Sequence, residues 1–198
     1  MFYKLFTKNL KFPQKFKEKW NAIINPPNGI DWQGVYRNNF SVSKDTRLRW
    51  FQFRLIHRIL ATNRYLYLIK IRNDPYCSFC KVEEETIVHL FYECDVVNNF
   101  YYRLEDWIYN KTSVLLNLSK MELIFGKMCR NDVLNLIILV FKFHIYRQRC
   151  RNENLCLSTF KAELHYFYQI ENYLSAIHGK QTCFKAKWEK FSKLFEDL

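Results

Sequence analysis

Four potential metal ligands lie within eighteen residues of this 198-residue chain and constrain its fold more than any other feature. Cys77 and Cys80 are separated by two residues, and His89 and Cys94 complete the pattern C-x2-C-x8-H-x4-C. Two cysteines at this spacing can form a tight turn, a zinc knuckle, whose backbone amides point at both sulfurs. Three thiolates and one imidazole fill the tetrahedral shell of a structural Zn²⁺ ion. We therefore predict a zinc site with no position left for a substrate.

The spacing of His89 and Cys94 also predicts a local distortion. Thr86 suits the N-cap of a helix, which places His89 at the third helical position. Cys94 follows five residues after His89, about 140° around an ideal α-helix. The helix must therefore distort or end near Cys94 if both side chains bind one ion. Two alternatives remain: the cysteines are ordinary small buried residues, or Cys77 and Cys80 form a redox motif, which lacks its usual strand–helix setting.

Composition excludes several classes of protein. A chain that is 49% hydrophobic is too apolar to stay disordered, and 4 Gly and 4 Pro are too few for a β-sandwich with many tight turns. The longest apolar run, Leu136 to Phe141, is too short to span a membrane and predicts a buried element. Seven cysteines and no secretory signal indicate a nuclear or cytoplasmic protein that is not secreted, where thiols stay reduced.

Helical patterns follow most of the chain, so we predict a mainly α fold. It comprises a small helical domain held by one CCHC zinc knuckle and a helical C-terminal segment. The predicted domains are a basic lead with a Pro/Gly linker (1–43), the zinc-binding helical domain (44–110) and a helical C-terminal region (111–198). Helices are expected at 46–60, 63–71, 86–107, 119–126, 131–150 and 158–177, with a tail at 182–197.

The order of several motifs resembles a known family. The segment Arg49–Asn63 reads RWFQFRLIHRILATN, the knuckle cysteines follow, Glu85–Cys94 reads ETIVHLFYEC, and Trp107 comes soon after. This order resembles the zinc-binding region that follows reverse transcriptase in LINE-type, non-long-terminal-repeat retrotransposon polyproteins. The likeness is dense over 44–108 and looser beyond. It implies that Cys77, Cys80, His89 and Cys94 bind Zn²⁺, in a domain that helps a polymerase hold element RNA or target DNA.

Catalytic motifs of such a polymerase are missing from the sequence. A reverse transcriptase holds two metal ions on paired aspartates, and no Asp-Asp occurs in this chain. No endonuclease set of Asp, Glu, His and Asn is recognisable either. We interpret Glu83–Glu85 and Glu105–Asp106 as solvated acidic faces. The expectation is a detached accessory domain that is not an enzyme.

Charge is unevenly distributed along a chain whose net charge is +12. Between Lys44 and Arg72 there are eight basic residues and one acidic residue. Between Lys81 and Asp106 there are two basic and seven acidic residues. A phosphate backbone should therefore avoid the acidic segment 81–106, which we call the ligand loop, and prefer the preceding helices. The candidate nucleic-acid-binding residues are Arg47, Arg49, Arg54, Arg58 and Arg64. An ideal helix would align Arg47, Arg54 and Arg58 beside a core face of Leu48, Phe51, Leu55 and Ile59.

Two functions remain open from the sequence. In the first, the chain binds RNA or single-stranded DNA, and zinc fixes the geometry of the basic helices. In the second, it is a zinc-stapled structural or protein-interaction module that docks on a reverse transcriptase domain without contacting nucleic acid, and its exposed charge is incidental. No membrane partner is expected. Other candidates are interpreted as structural: His57, the aromatic series Phe184, Trp188, Phe191 and Phe195, and the set Cys150, Cys156, His144 and His165.

Overall fold

The computed structural model describes residues 15–128 and 132–196, and these form helices joined by short loops. The only extended pairing among them is one antiparallel bridge between Tyr76 and Glu84. The prediction of a mainly α fold is therefore confirmed. The α-helices are α1 (Lys15–Ile24), α2 (Trp32–Ser41), α3 (Thr46–Ile56), α4 (Asn63–Leu68), α5 (Asp95–Thr112), α6 (Lys120–Phe125), α7 (Asp132–Arg151), α8 (Leu157–Ile177) and α9 (Gln181–Trp188). A π-helical turn spans His89–Glu93, and a 3₁₀ segment spans Glu189–Phe195.

Side-chain caps fix several helix starts near the predicted positions. The Asp45 carboxylate accepts hydrogen bonds from the Arg47 and Leu48 amides at the start of α3. The Thr62 hydroxyl accepts one from the Tyr65 amide at the start of α4. Each bond satisfies an amide that has no partner within its own helix. These caps were readable from the sequence because Thr and Asp precede the apolar patterns.

Helix α3 ends at Ile56, four residues earlier than predicted. The Ile59 amide donates to the Arg54 carbonyl at 2.9 Å, and Arg58 between them has a left-handed φ of 58°. This terminating turn carries an arginine where glycine is usual. Ile59 is consequently 47% exposed and does not belong to the predicted core face. Arg58 lies beyond the helix, so the expected alignment with Arg47 and Arg54 along α3 does not hold.

Helix α7 forms the centre of the hydrophobic core. Its residues 133–142 are all buried, which confirms the prediction for the run Leu136 to Phe141. Helices α3, α8 and α9 pack against it. A search of the described helices for a membrane-spanning segment finds no candidate.

Lys142 is buried inside the hydrophobic core, where its Nζ donates to Gln52 Oε1 at 2.8 Å and to the Ile124 carbonyl at 2.6 Å.

Residues 15–41 also fold, although the sequence predicted a basic lead and linker there. Trp20 of α1 is fully buried, and its Nε1 donates to the Ile56 carbonyl at 2.7 Å. Val35 of α2 is equally buried. The missed signal is a large aromatic residue that the core can enclose despite neighbouring lysines. Residues 1–14 of the predicted lead lie outside the described residues, and the domain boundaries at 44 and 111 stay predictions.

The C-terminal aromatic series closes the core from one side. Its four members, Phe184, Trp188, Phe191 and Phe195, are all buried, as the sequence predicted. The Trp188 indole donates to Glu171 at 2.9 Å, so its polar atom has a partner. Buried rings cannot stack on the bases of a nucleic acid. This series therefore contributes stability rather than a binding surface.

Candidate metal centre

The four predicted ligand residues converge on one point. One ligand atom from each of Cys77, Cys80, His89 and Cys94 lies within 4.8 Å of the other three. Cys77, His89 and Cys94 are buried, and Cys80 is partly buried. No other group of three or more potential ligands meets the same criterion in the described part of the chain. The side chains therefore form a compact set of three sulfurs and one nitrogen.

Two interatomic distances in this set match those of a tetrahedral zinc shell. Zinc–sulfur bonds of about 2.3 Å and zinc–nitrogen bonds of about 2.0 Å place two sulfurs about 3.8 Å apart, and a sulfur and a nitrogen about 3.5 Å apart. The Cys77 and Cys94 sulfurs are separated by 3.8 Å. Cys80 Sγ lies 3.4 Å from His89 Nε2. The residues present therefore fit Zn²⁺ bound through Nε2 of the histidine, with all four positions filled by protein.

The knuckle around Cys77 directs backbone amides toward sulfur. The Phe79 amide donates to Cys77 Sγ at 3.4 Å. Two further backbone bonds close the turn: the Lys81 amide donates to the Cys77 carbonyl at 3.0 Å, and the Cys77 amide to the Glu83 carbonyl at 2.8 Å. Lys81 takes a left-handed φ of 61° to reverse the chain. Amides aimed at sulfur stabilise the thiolate form that a metal requires.

A π-helical turn resolves the spacing between His89 and Cys94. Thr86 caps this segment as predicted, since its Oγ1 accepts from the His89 amide at 2.9 Å. The Cys94 amide then donates to the His89 carbonyl at 2.9 Å, a bond between residues five apart that defines a π turn. The chain leaves the turn at Cys94, whose ψ of 122° is extended, and α5 begins at the next residue. The predicted distortion is thus present at the predicted place.

The contact between the Cys77 and Cys94 sulfurs shifts the pKa values of both thiols in opposite directions. The neighbouring Cys94 sulfur raises the pKa of the Cys77 thiol, and burial raises it further. Hydrogen bonding from Cys77 lowers the pKa of Cys94 to about 5, and the Val96 and Val97 amides act in the same direction. Those two amides belong to the first turn of α5, where helix N–H groups favour a negative charge. These contacts favour the thiolate form of Cys94 within the pair.

The buried carboxylate of Glu85 accepts hydrogen bonds from the knuckle and from α4. Glu85 is fully buried, and its two oxygens accept bonds from the Asn63 amide and the Ser78 amide, each at 2.8 Å. Arg149 of α7 donates to the same carboxylate at 2.6 Å. The Asn63 side chain extends the network, donating to the Tyr76 carbonyl and the Ser78 hydroxyl and accepting from Arg149. The buried pair thus joins the knuckle, α4 and α7.

This network corrects the interpretation of Glu83–Glu85 as a solvated acidic face. Glu83 and Glu84 are exposed, but Glu85 is not. Its partner Arg149 lies 64 positions away, so no local pattern announces the pair. The available signal was its position directly before the helix cap Thr86 and next to Ile87, in a segment that turns into the core. A charge buried there must have a partner.

The remaining cysteines and histidines do not assemble a second site among the described residues. Cys150 and Cys156 are exposed. His144 is buried, and its Nδ1 lies 3.0 Å from the Glu163 carboxylate. His165 stacks on Phe195, and His57 lies 3.3 Å from the Tyr36 hydroxyl. Burial lowers the pKa of His57, with a smaller effect from the charge of Lys17. Their structural interpretation agrees with these contacts.

The five predicted nucleic-acid-binding arginines have different surroundings. Arg58 and Arg64 line one open groove together with Lys15 and Lys19; we call it the basic groove. Three others contact the protein elsewhere: Arg47 pairs with Asp45, Arg49 donates to the Phe40 and Ser43 carbonyls, and Arg54 lies over the Tyr146 ring. Arg64 also pairs with Glu84 of the ligand loop. The nucleic-acid role of these arginines stays a prediction.

Comparison with known proteins supports the metal centre. No curated protein matches the chain. Residues 5–101, just under half of the chain, match the family described as zinc-binding in reverse transcriptase. The matched stretch contains all four ligand residues, and that family is an accessory rather than a catalytic domain. The family match and the ligand geometry together support a zinc-binding domain in this stretch, which is similar to the family described as zinc-binding in reverse transcriptase.

Proposed function

We propose that this chain is a non-catalytic zinc-binding module that binds RNA or single-stranded DNA through the basic groove. The observation that carries the proposal is the composition of the groove, which has a volume of about 440 Å³. Four cations line it, from Lys15, Lys19, Arg58 and Arg64. No carboxylate is among the described residues of its lining. A groove of this character attracts a phosphate backbone.

Aromatic and apolar side chains in the same groove favour an unpaired strand over a duplex. Phe16 and Tyr65 line it beside the cations, and Leu68 continues the apolar surface. Tyr65 is 38% exposed, so part of its ring is open to a ligand. Bases of a single strand stack on such rings with little sequence preference. The combination of cations and rings supports RNA or single-stranded DNA as the ligand class.

The ion pair between Arg64 and Glu84 does not argue against this role. Both side chains are nearly half exposed, and a pair of that kind contributes at most about 1 kcal/mol. A phosphate could therefore displace Glu84 at small cost. Arg47, 61% exposed beside Asp45, is available in the same way at the start of α3. Arg49 and Arg54 contact other parts of the protein, namely backbone carbonyls and the Tyr146 ring, and we propose no direct phosphate contact for them.

Zinc organises this surface without contacting the strand in our proposal. Arg64 sits in α4, whose Asn63 is bonded to the knuckle backbone. The ion therefore fixes α4 relative to the ligand loop. Thiolate ligation requires a reducing compartment, which supports a nuclear or cytoplasmic location. The likeness to LINE-type elements supports a place beside a reverse transcriptase, with element RNA or target DNA as the natural ligand.

A second candidate function rests on an apolar surface that overlaps one edge of the basic groove, since Leu68 and Ile69 belong to both. Four large side chains at the end of α4 and just after it are exposed, namely Tyr67, Leu68, Ile69 and Ile71, the last at 69%. Contiguous apolar exposure of this kind marks protein interfaces. It favours a module that docks on a reverse transcriptase domain through this surface. In that case the charge of the basic groove would be incidental.

Binding of a fluorescent single-stranded RNA over a salt series separates the two functions. The log of the binding constant should fall linearly with log salt, with a slope of about −0.7 per phosphate contact. The double variant Lys15→Gln/Lys19→Gln should make that slope less steep by about 1.4. Arg37→Gln/Lys44→Gln removes equal charge outside the groove and should leave the slope nearly unchanged. A flat salt response of the parent protein would favour docking instead, and single-stranded DNA of the same sequence tests the sugar preference.

A further inference from the structure

A second cleft lies directly against the zinc knuckle; we call it the knuckle cleft. It has a volume of about 390 Å³ and lies between the knuckle, α5 and the loop that follows α7. Phe79 and Lys81 line it from the knuckle, and Asn99 and Arg103 line it from α5. The sequence placed this region in the most acidic part of the chain, where a phosphate was not expected. In the structure, however, the lining of the cleft has more positively than negatively charged side chains.

Ion pairs remove much of the negative charge of the ligand loop from the cleft. Three carboxylates are engaged with cations of other segments: Glu84 with Arg64, Glu85 with Arg149, and Glu93 with Lys120. Glu83, Asp95 and Asp106 do not line the cleft. The loop after α7 contributes Glu153, the single carboxylate in the described lining, which lies 3.9 Å from Arg151. Three of the seven carboxylates between residues 81 and 106 are therefore paired, and none of the seven lines the cleft.

Two cations remain available in the knuckle cleft. Lys81 and Arg103 have no ion-pair partner in the part of the chain that the structure describes, and both side chains are exposed. The left-handed backbone of Lys81 is held by the bond from its amide to the Cys77 carbonyl. Arg103 projects from the rigid helix α5. An arginine fork and a lysine ammonium across one cleft suit a phosphate group.

Polar amides and a ring complete the lining. Phe79 is half-buried against the knuckle, so its ring is positioned by the chain that binds the metal. Asn99, Asn152 and Asn154 supply amide groups that can both donate and accept hydrogen bonds. A ring for stacking, amides for polar edges and cations for phosphate are together the chemistry that recognises a nucleotide. A purely anionic ligand would need neither the ring nor the amides.

We propose that the knuckle cleft holds one nucleotide of a bound single strand. Its phosphate lies between Lys81 and Arg103, and its base lies against Phe79 within reach of the asparagine amides. This inference rests on the proposed function, because it extends the path of the same strand beyond the basic groove. It departs from the view that zinc only fixes the geometry, since the knuckle itself then contacts the ligand.

The test compares the parent protein with three double variants on the same fluorescent single-stranded RNA over a salt series. Lys81→Gln/Arg103→Gln should make the slope less steep by about 1.4 and weaken binding about 25-fold at 0.1 M salt, since each contact contributes about fivefold there. The charge-matched control is again Arg37→Gln/Lys44→Gln. A slope equal to that of the control would overturn the proposal. If Lys15→Gln/Lys19→Gln still lowers affinity in that case, the basic groove stands and only the knuckle cleft is wrong.

Crosslinking gives an independent readout of position. An RNA carrying 4-thiouridine should crosslink, after irradiation, to the peptide that contains Phe79 or to the one that contains Asn99. Crosslinks confined to other peptides would contradict the assignment.

Binding of uridine monophosphate tests whether the cleft takes a free nucleotide instead of a strand. If Lys81→Gln/Arg103→Gln weakens binding of the mononucleotide but not of the RNA, the placement of a strand is overturned. Absence of RNA binding by the parent protein would refute the proposed function itself.

Discussion

The zinc knuckle and helix α7 are stabilised in opposite ways, although the ion pair between Glu85 and Arg149 joins them. Residues 78–80 of the knuckle turn are only partly buried, and Tyr76 and Val82 beside it are 51% and 71% exposed. Its order depends on the metal ligands and on hydrogen bonds to Glu85. Helix α7 buries most of its length among apolar residues and needs no ion. A chain can therefore hold a polar, metal-dependent structure against a core that folds by burial alone.

Replacing a zinc ligand should have the largest effect and should break only one of these regions. Cys80→Ser removes one thiolate, and zinc binding supplies about 10–16 kcal/mol in small zinc domains. We expect loss of the ion and of amide-exchange protection over residues 73–86, whereas 87–94 should keep part of theirs because Leu90 and Phe91 are buried in the core. Helix α5 should persist because Phe100, Leu104 and Ile108 are buried in the core. Hydrogen exchange followed by mass spectrometry measures this.

The matched control for this experiment is Cys183→Ser, which replaces an exposed cysteine outside the metal centre. It should retain one ion and the parental exchange pattern. Uniform loss of protection in Cys80→Ser, with α7 included, would show that the two regions do not fold as separately as their contacts indicate. Unchanged protection would show that the ion does not stabilise the knuckle.

Removing the link between the regions should have the next largest effect. Glu85→Gln leaves Arg149 buried without its counter-charge, which typically costs about 3–5 kcal/mol of unfolding free energy. Zinc affinity should also fall by about 10–100-fold, because Glu85 accepts the Ser78 amide inside the knuckle. Urea unfolding and competition with a chelator measure the two effects.

Glu84→Gln provides the comparison at the neighbouring residue. Glu84 pairs with Arg64 at the surface, so its replacement should change stability by no more than about 1 kcal/mol. Equal effects of the two substitutions would mean that burial of Glu85 is unimportant. That result would contradict the role assigned to the buried pair.

The pH dependence of Lys142 sharpens the description of α7 and should give the smallest effect. Complete burial lowers the pKa of Lys142 to about 7, below that of a lysine in the unfolded chain. The unfolded chain therefore binds more protons between about pH 7 and 10, and this lysine should make stability rise with pH in that window. We expect a rise of about 1–3 kcal/mol between pH 7 and 9.

Lys142→Met is the variant that isolates this contribution. Methionine fills the same space without a charge, and Gln52 still donates to the Ile124 carbonyl. Its unfolding free energy should lack the part of the rise that the parent shows. Identical pH profiles for parent and variant would contradict the lowered pKa. Urea unfolding at pH 7, 8 and 9 is sufficient for the comparison.

Local sequence signals predicted local structure well. The ligand set, the cap at Thr86 and the distortion before Cys94 all follow from spacing along one segment. The helices after residue 119 also lie within a residue or two of their predicted bounds. Ser119 caps the first of them, and Gly179 follows the end of α8 with a left-handed φ. These features depend on residues that are close together in the sequence.

Features that depend on distant partners were missed for a physical reason. Glu85 looks like a surface acid beside two others, and only Arg149 from α7 makes its burial tolerable. Trp20 looks like part of a basic lead until the core encloses it. The end of α3 depends on Arg58 adopting a left-handed backbone, a conformation that sequence favours only for glycine or asparagine. Tertiary context decides each of these cases.

X-ray absorption spectroscopy of the purified protein tests the zinc assignment most directly. Binding by Cys77, Cys80, His89 and Cys94 predicts one zinc per chain, surrounded by three sulfurs at about 2.3 Å and one nitrogen at about 2.0 Å. Folded protein with no bound zinc, or zinc surrounded mainly by oxygen and nitrogen, would contradict it.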